Sequence, residues 1–142
     1  MAKIQTIRIK LDKDAVMPTR AHEADAGYDI FAPRDVYVLG QMKTTVDTGV
    51  HIEIPKNYFG AIRPKSGLFF NYDLFTDGTV DSGYTGSVKV RIVNLGQTPY
   101  QFHKGDKIAQ LVLIPCLTPI FEEATELEET ERGNGGFGST GK

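Results

Sequence analysis

Wherever this sequence has a legible pattern, apolar and polar residues alternate with a period of two. Ile7, Ile9 and Leu11 are interleaved with Arg8 and Lys10, Val46, Thr48, Val50, Ile52 and Ile54 with polar partners, and Val88, Val90 and Ile92 with Lys89 and Arg91. An extended chain points successive side chains to opposite faces, so this pattern marks half-buried antiparallel strands. Further strands are expected at residues 36–39, 58–62, 100–103 and 108–114. Turn signals at Pro33, Gly40, Pro55-Lys56-Asn57, Asn94-Leu95-Gly96 and Lys104-Gly105-Asp106 separate them. A strand about every ten residues predicts an all-β sandwich, jelly roll or barrel. No long stretch repeats at 3.6 residues, although a short helix fits after Ser66.

A chain of 142 residues has room for one domain with a real core. Its 40% hydrophobic and 24% charged residues are those of a globular protein, and its longest apolar run, near 111–117, is too short to span a bilayer. The first residues lack the apolar block of a signal peptide, so a cytoplasmic location is expected and no membrane partner. Cys116 is the single cysteine; it cannot form an internal disulfide and, lying in an apolar run, reads as a core residue. His22, His51 and His103 are scattered, so no zinc site is expected, and any metal should arrive with the substrate. A net charge of −2 argues against nucleic-acid binding, which needs a basic face.

Five segments break the strand pattern in one direction, toward glycine, carboxylate and hydroxyl. Four are internal, at residues 25–32, 63–68, 78–86 and 105–111. Taken singly each has a plain structural reading: Asp29 as a turn acceptor, Ser66-Gly67 as a tight turn, residues 81–86 as a hairpin loop, Gln110 as an outward strand position. Taken together they suit an anionic ligand. Ser66, Gly67 and Lys65 supply a hydroxyl, an approachable backbone and a cation for a phosphate oxygen. Glycines on both sides of Asp81 and Tyr84 let a backbone hairpin approach a flat ligand, and Gln110 among apolar neighbours needs a partner. The fifth segment is the C-terminal one. Residues 133–142 hold five of the 15 glycines with one ring, Phe137, and follow Arg132 and an acidic stretch, 122–131, in which six of ten residues are Glu. Such a segment cannot form a packed core; it reads as a solvated tether leading to an arm that orders over a ligand. Gly136 to Lys142 spells Gly-x-x-x-x-Gly-Lys, but neither the Ser/Thr nor the helix of a P-loop follows, so that NTPase class is not expected.

In this order, Ala26-Gly27-x-Asp29, Ser66-Gly67-Leu68, Asp81-x-x-Tyr84-x-Gly86, Gly105-Asp106-Lys107-Ile108-Ala109-Gln110-Leu111 and the run from Arg132 to Gly141 resemble the five motifs of the homotrimeric dUTP diphosphatase (dUTPase) family. The resemblance implies a jelly-roll-like (β-clip) domain over 1–121, an acidic tether over 122–131 and a glycine-rich lid over 132–142. It further implies a homotrimer with active sites at subunit interfaces, and Mg²⁺-assisted hydrolysis of dUTP to dUMP and pyrophosphate. Carried over residue by residue, Asp81 would be the general base that orients the attacking water, and Tyr84 would lie under the deoxyribose and exclude a 2′-hydroxyl. Backbone groups of the segment from Gly78 to Gly86, Gly78 and Val80 among them, would read the uracil edge. Lys65, Ser66, Gly67 and Gln110 would hold phosphate oxygens, and Asp29 would support the water shell of a Mg²⁺ held mainly by the substrate. Phe137 would stack on uracil, while Arg132, Gly138, Ser139 and Thr140 would close on the γ-phosphate.

Two positions depart from the family pattern: Lys65 and Thr85 stand where arginine is common, and Arg63, two positions before Lys65, is a possible substitute for the missing guanidinium. The related dCTP deaminase branch needs a glutamate on the strand after residue 86. That strand reads Ser87-Val-Lys-Val-Arg-Ile92, with no carboxylate, so deamination is not expected. A second role as a nucleotide-gated interaction protein stays open.

Overall fold

The computed structural model describes residues 5–139 and 141. It is the all-β architecture expected from the alternation, with eleven strands and one short helix. In chain order these are β1 (Ile9–Leu11), β2 (Gly27–Phe31), β3 (Val36–Val38), β4 (Lys43–Asp47), β5 (Val50–Ile52), β6 (Tyr58–Arg63), α1 (Ser66–Tyr72), β7 (Leu74–Phe75), β8 (Gly78–Val80), β9 (Lys89–Asn94), β10 (Tyr100–Phe102) and β11 (Lys107–Pro115). All pairings are antiparallel. They form a four-stranded sheet ordered β2-β11-β6-β8, a three-stranded sheet β4-β9-β7, and the pairs β1-β5 and β3-β10.

The inward residues of the period-two pattern meet in one core. Val46, Val90, Ile92, Ile62, Phe102, Ile108 and Leu111 are buried together, drawn from both larger sheets and from β10. Burying such side chains contributes about 1.5–3 kcal/mol each, which is why the strands with clean alternation are those that hold the sheets together. The expected strand over residues 46–54 is divided. Gly49 turns the chain with φ +70, and the segment on either side pairs with different partners, β4 with β9 and β5 with β1.

Three local expectations are corrected. Residues 78–86 are not a hairpin of paired strands: β8 pairs with β6 and β9 with β4 and β7, so this segment links two sheets. Cys116 is half-buried just past β11 and outside the core cluster, because its strand has ended at Pro115. Residues 27–31, expected to break the strand pattern, form strand β2. Among the described residues no helix is long and apolar enough to cross a membrane.

Candidate active site

Three neighbouring strands set out one polar row. Asp29 on β2 is the cross-strand partner of Gln110 on β11, and Gln110 is in turn the partner of Arg63, the last residue of β6. Beyond Arg63 the chain leaves the sheet through Pro64 and Lys65 and enters α1 at Ser66. Lys65 is the extended residue before the helix and caps it with no side-chain hydrogen bond. The first helical N–H groups to bond within the turn are those of Leu68 and Phe69, both onto the Lys65 carbonyl. The hydroxyl of Ser66 and the backbone at Ser66 and Gly67 therefore face outward, and nothing lies within 4 Å of the place a Cβ on Gly67 would take. Outward backbone donors beside a hydroxyl suit phosphate oxygens.

Asp29 is only 4% exposed. Its backbone N–H donates to the Thr19 carbonyl at 2.6 Å. Its two carboxylate oxygens are each held by a lysine, Lys65 Nζ donating to Oδ1 at 2.6 Å and Lys107 Nζ lying 3.3 Å from Oδ2. Burial pushes this carboxyl up, but the hydrogen bonds and charges of Lys65 and Lys107 together outweigh burial and hold it below the usual carboxylate range. The result is a pair of ammonium groups fixed at one end of the sheet, where a polyanion would be received. Gln110 is half-buried and its Nε2 donates to the Pro64 carbonyl at 3.0 Å. Gly27 makes room for this: a Cβ there would lie 2.0 Å from Gln110 Oε1. Arg63 is exposed at the end of β6.

Asp81 and Tyr84 lie elsewhere. β8 is the far edge of the same sheet, two strands from Gln110 and three from Asp29, and its last residue, Val80, is level with Gly60, three residues along β6 from Arg63. Strand spacing and rise put Val80 roughly 14 Å from Gln110 and further from Asp29. Gly78 lies beside Ile62, nearer the polar row, while the Val80 side chain is buried in the core, which leaves its backbone for contact. Asp81 follows and is exposed; its carbonyl accepts from the Tyr84 N–H at 3.0 Å in a tight turn. The Tyr84 ring folds over Gly86, where a Cβ would meet its hydroxyl oxygen at 2.6 Å, and that hydroxyl donates to the Ser87 carbonyl at 2.7 Å. The ring is thus held as a partly exposed platform beside Asp81.

The arm makes a third separate group. Past Cys116, every hydrogen bond among the described residues is internal to the arm: Gly133 N–H to Thr130 Oγ1, Gly135 N–H to the Arg132 carbonyl, Arg132 Nε to the Gly135 carbonyl, Ser139 N–H to the Gly136 carbonyl and Gly141 N–H to the Gly138 carbonyl. Phe137 is fully exposed with φ +53, and Arg132, Gly138 and Ser139 are exposed beside it. Thr140 lies outside the described residues.

The five motif segments thus occupy three places within one chain, in an order that matches a known family. Residues 13–141 match the family profile described as dUTPase. The chain belongs to the dUTPase family. It is 43% identical over 135 residues to the deoxyuridine 5′-triphosphate nucleotidohydrolase of Clostridium kluyveri, covering 93% of this chain and 94% of that one. It is also 43% identical to the enzyme of the same description from Paramecium bursaria Chlorella virus 1, over 93% and 94% of the two chains. Among solved structures, the Staphylococcus bacteriophage 80alpha dUTPase with dUpNHpp superposes with a TM-score of 0.92 at 33% identity, covering 98% of this chain and 100% of that one. A dUTPase from phage phi11 of S. aureus, described for its coordination of a structural Mg(II) ion, does so with a TM-score of 0.82 at 31% identity over 88% and 100%. The dUTPase fold expected from the motifs is therefore the fold of this chain.

Two features of this dUTPase site escape sequence reasoning. Lys107 carries half of the lysine pair on Asp29, yet it is 78 residues away and reads as one more outward strand lysine. The Pro64 carbonyl, acceptor for Gln110, is backbone and has no residue signature. The glycine preceding Asp29 within the first motif is the one available hint that something presses against β2 there.

Proposed function

We propose that this chain is a dUTP diphosphatase that hydrolyses dUTP to dUMP and pyrophosphate in the cytoplasm, keeping uracil out of DNA and supplying dUMP for thymidylate synthesis. The observation that carries this reading is the polar row Asp29–Gln110–Arg63 opening onto the Ser66 turn, in a chain whose relatives at 43% identity over nearly their whole length are dUTP nucleotidohydrolases.

The chemistry follows from the groups present. The Gln110 amide, the Ser66 hydroxyl and the backbone at Ser66 and Gly67 receive α- and β-phosphate oxygens, and Lys65 and Lys107 neutralise their charge while anchored on Asp29. Asp81 orients a water in line with the α-phosphorus and takes its proton, the role that suits an exposed carboxylate. The Tyr84 platform lies under the deoxyribose, and the backbone of β8 from Gly78 to Val80 pairs with the uracil edge. Phe137 stacks on the base, and Arg132, Gly138, Ser139 and Thr140 close on the γ-phosphate, excluding water as the arm orders.

Among the described residues no three His, Cys, Asp or Glu side chains cluster as a metal cage, and both Asp29 oxygens already face lysines. This donor set fits a cation brought in on the nucleotide's phosphates rather than one held by the protein, and Asp29 would support such a cation only through water. Bound Mg²⁺ would supply charge neutralisation across the phosphates.

Asp81 lies toward the far edge of the sheet from the phosphate groups of its own chain, its neighbour Val80 being two strands and three residues, roughly 14 Å along the backbone lattice, from Gln110. This separation favours a homotrimer in which one chain's Asp81 loop faces a neighbour's Ser66 turn, with an exposed arm supplied across the interface. Asp81→Asn keeps the shape and removes the proton acceptor. Turnover should drop by about 10²- to 10⁴-fold with dUTP binding retained by calorimetry; turnover within about threefold of the parent would remove Asp81 from this role.

A second role rests on the likeness to the phage 80alpha enzyme, a dUTPase described as controlling transfer of virulence genes by a G protein-like mechanism. An arm whose hydrogen bonds, among the described residues, are all internal is suited to such gating. A partner that bound with α,β-imido-dUTP and not without nucleotide would support it.

A further inference from the structure

A histidine ties down the loop that carries Asp81 and Tyr84. His51 lies on β5, with Lys10 of β1 as its cross-strand partner. Its Nδ1 is 2.8 Å from the Thr85 carbonyl oxygen and its Nε2 is 2.9 Å from Asp12 Oδ2. Both partners are pure acceptors. The ring satisfies both only with a hydrogen on each nitrogen, that is, as an imidazolium; a neutral ring would aim a lone pair at one of the two oxygens.

We propose that His51, bridging Asp12 to the backbone of Thr85 as an imidazolium, is a positioning residue for dUTP hydrolysis, fixing the loop from Asp81 to Gly86 in its working geometry. The inference rests on the reading of Asp81 and Tyr84 given above. Among the described residues, His51 is the only side chain outside the loop that hydrogen-bonds to residues 81–86. The loop's other ties are local: Tyr84 N–H to the Asp81 carbonyl, and the Tyr84 hydroxyl to the Ser87 carbonyl. Without the His51 contact, residues 81–86 have no hydrogen bond to the body outside the loop and Ser87 among the described residues.

The charges around the ring favour the proton. The hydrogen bond to Asp12 acts first and that to Thr85 second, against a smaller loss from burial and the repulsion of Lys10, so His51 keeps its proton above the usual imidazole range. Arg8 and Glu53 share the same cleft of about 350 Å³ but are paired with each other at 2.8 Å. Asp47, held by the Ser87 hydroxyl on the far side, adds negative charge near the ring. When the proton leaves, the charge-assisted Nε2–H contact to Asp12 is the stronger one to keep. Nδ1 then presents a lone pair to the Thr85 carbonyl, and the loop is released.

The test is a pH profile of dUTP hydrolysis for the parent, Asp12→Asn and His51→Gln, beside an NMR titration of the His51 ring and the Thr85 carbonyl carbon. In the parent, kcat/KM should fall by about three- to tenfold on the alkaline side, with the midpoint of the His51 ring titration, and the Thr85 carbon should titrate with it. Asp12→Asn should move both midpoints down together; His51→Gln should abolish this limb and the Thr85 titration. Loss of the uracil N3 proton in alkali would be common to all three proteins. A limb that stays in place in either variant, or a Thr85 carbon that ignores the ring, would overturn the inference. Should the glutamine variant fail to fold, Asp12→Asn decides alone. Absence of hydrolysis by the parent at every pH would instead overturn the dUTPase reading, and the Thr85 titration would still show whether the tether exists.

Discussion

Gln110 occupies the space in which a side chain on residue 27 would begin: its Oε1 lies 2.0 Å from the place of a Cβ on Gly27. Ala at this position leaves no choice but to expel the Gln110 amide or to push β2 off β11, a pairing that spans residues 27–31. Gly27→Ala should break the Gln110 bond to the Pro64 carbonyl and cost about 1–3 kcal/mol of stability. It should also raise KM for dUTP, because the displaced amide is the one proposed to receive phosphate. Urea unfolding with steady-state kinetics checks both effects. Unchanged KM would mean that Gln110 does not contact substrate.

The Asp29 carboxylate sets a pH dependence whose sign is fixed by its lysines. Lys65 and Lys107 overcome the effect of burial and depress its folded pKa. Its contribution to stability is therefore fully present above the unfolded value near 3.9 and is lost as pH falls through the lower folded value. Asp29→Asn should lower unfolding free energy at pH 7 by about 1–3 kcal/mol, and the gap to the parent should narrow as the pH drops below about 4. Denaturant melts at pH 7 and at two acid values measure this. A gap that widened in acid would contradict the arrangement.

The arm should be dispensable for folding and indispensable for turnover. Among the described residues past Cys116 all hydrogen bonds are internal to the arm, so deletion of residues 133–142 should leave the melting temperature unchanged. Phe137→Ala should lower kcat/KM by about ten- to a hundredfold, the worth of one base stack. A Phe137→Ala protein as active as the parent would remove the ring from the site.

What could be read ahead of the structure follows the reach of each physical signal. Alternation over residues 88–92 correctly marks β9, because burial of one face writes itself into neighbouring residues, and the apolar run at 108–114 bounded by a turn signal marks β11. Residues 46–54 alternate just as well, yet Gly49 at φ +70 splits them between two partners, and pairing is not encoded in the alternation of one strand. β2 carries a buried aspartate, Asp29, at a position where its inward face should be apolar, and its lysine partners lie 36 and 78 residues away. α1 buries no residue and so shows no helical period. The motif segments supply the candidate site's residues, but their division into a polar row, a Tyr84 platform and a separate arm comes only from strand order, which puts β2 and β8 on opposite edges of one sheet.

That division is the central claim, and mixing inactive chains tests it most directly. Asp81→Asn chains keep an intact phosphate row, and Ser66→Ala/Gln110→Ala chains keep an intact base. If one chain's Asp81 serves its neighbour's row, random 1:1 trimers assemble both intact halves in about a quarter of their sites. After unfolding and refolding the two inactive proteins together, with mixing verified by native mass spectrometry, dUTP hydrolysis should recover to about a quarter of the parent rate. Mixed trimers that remain as inactive as either variant alone would show that Asp81 and Gln110 act within one chain, and the composite site would have to be abandoned.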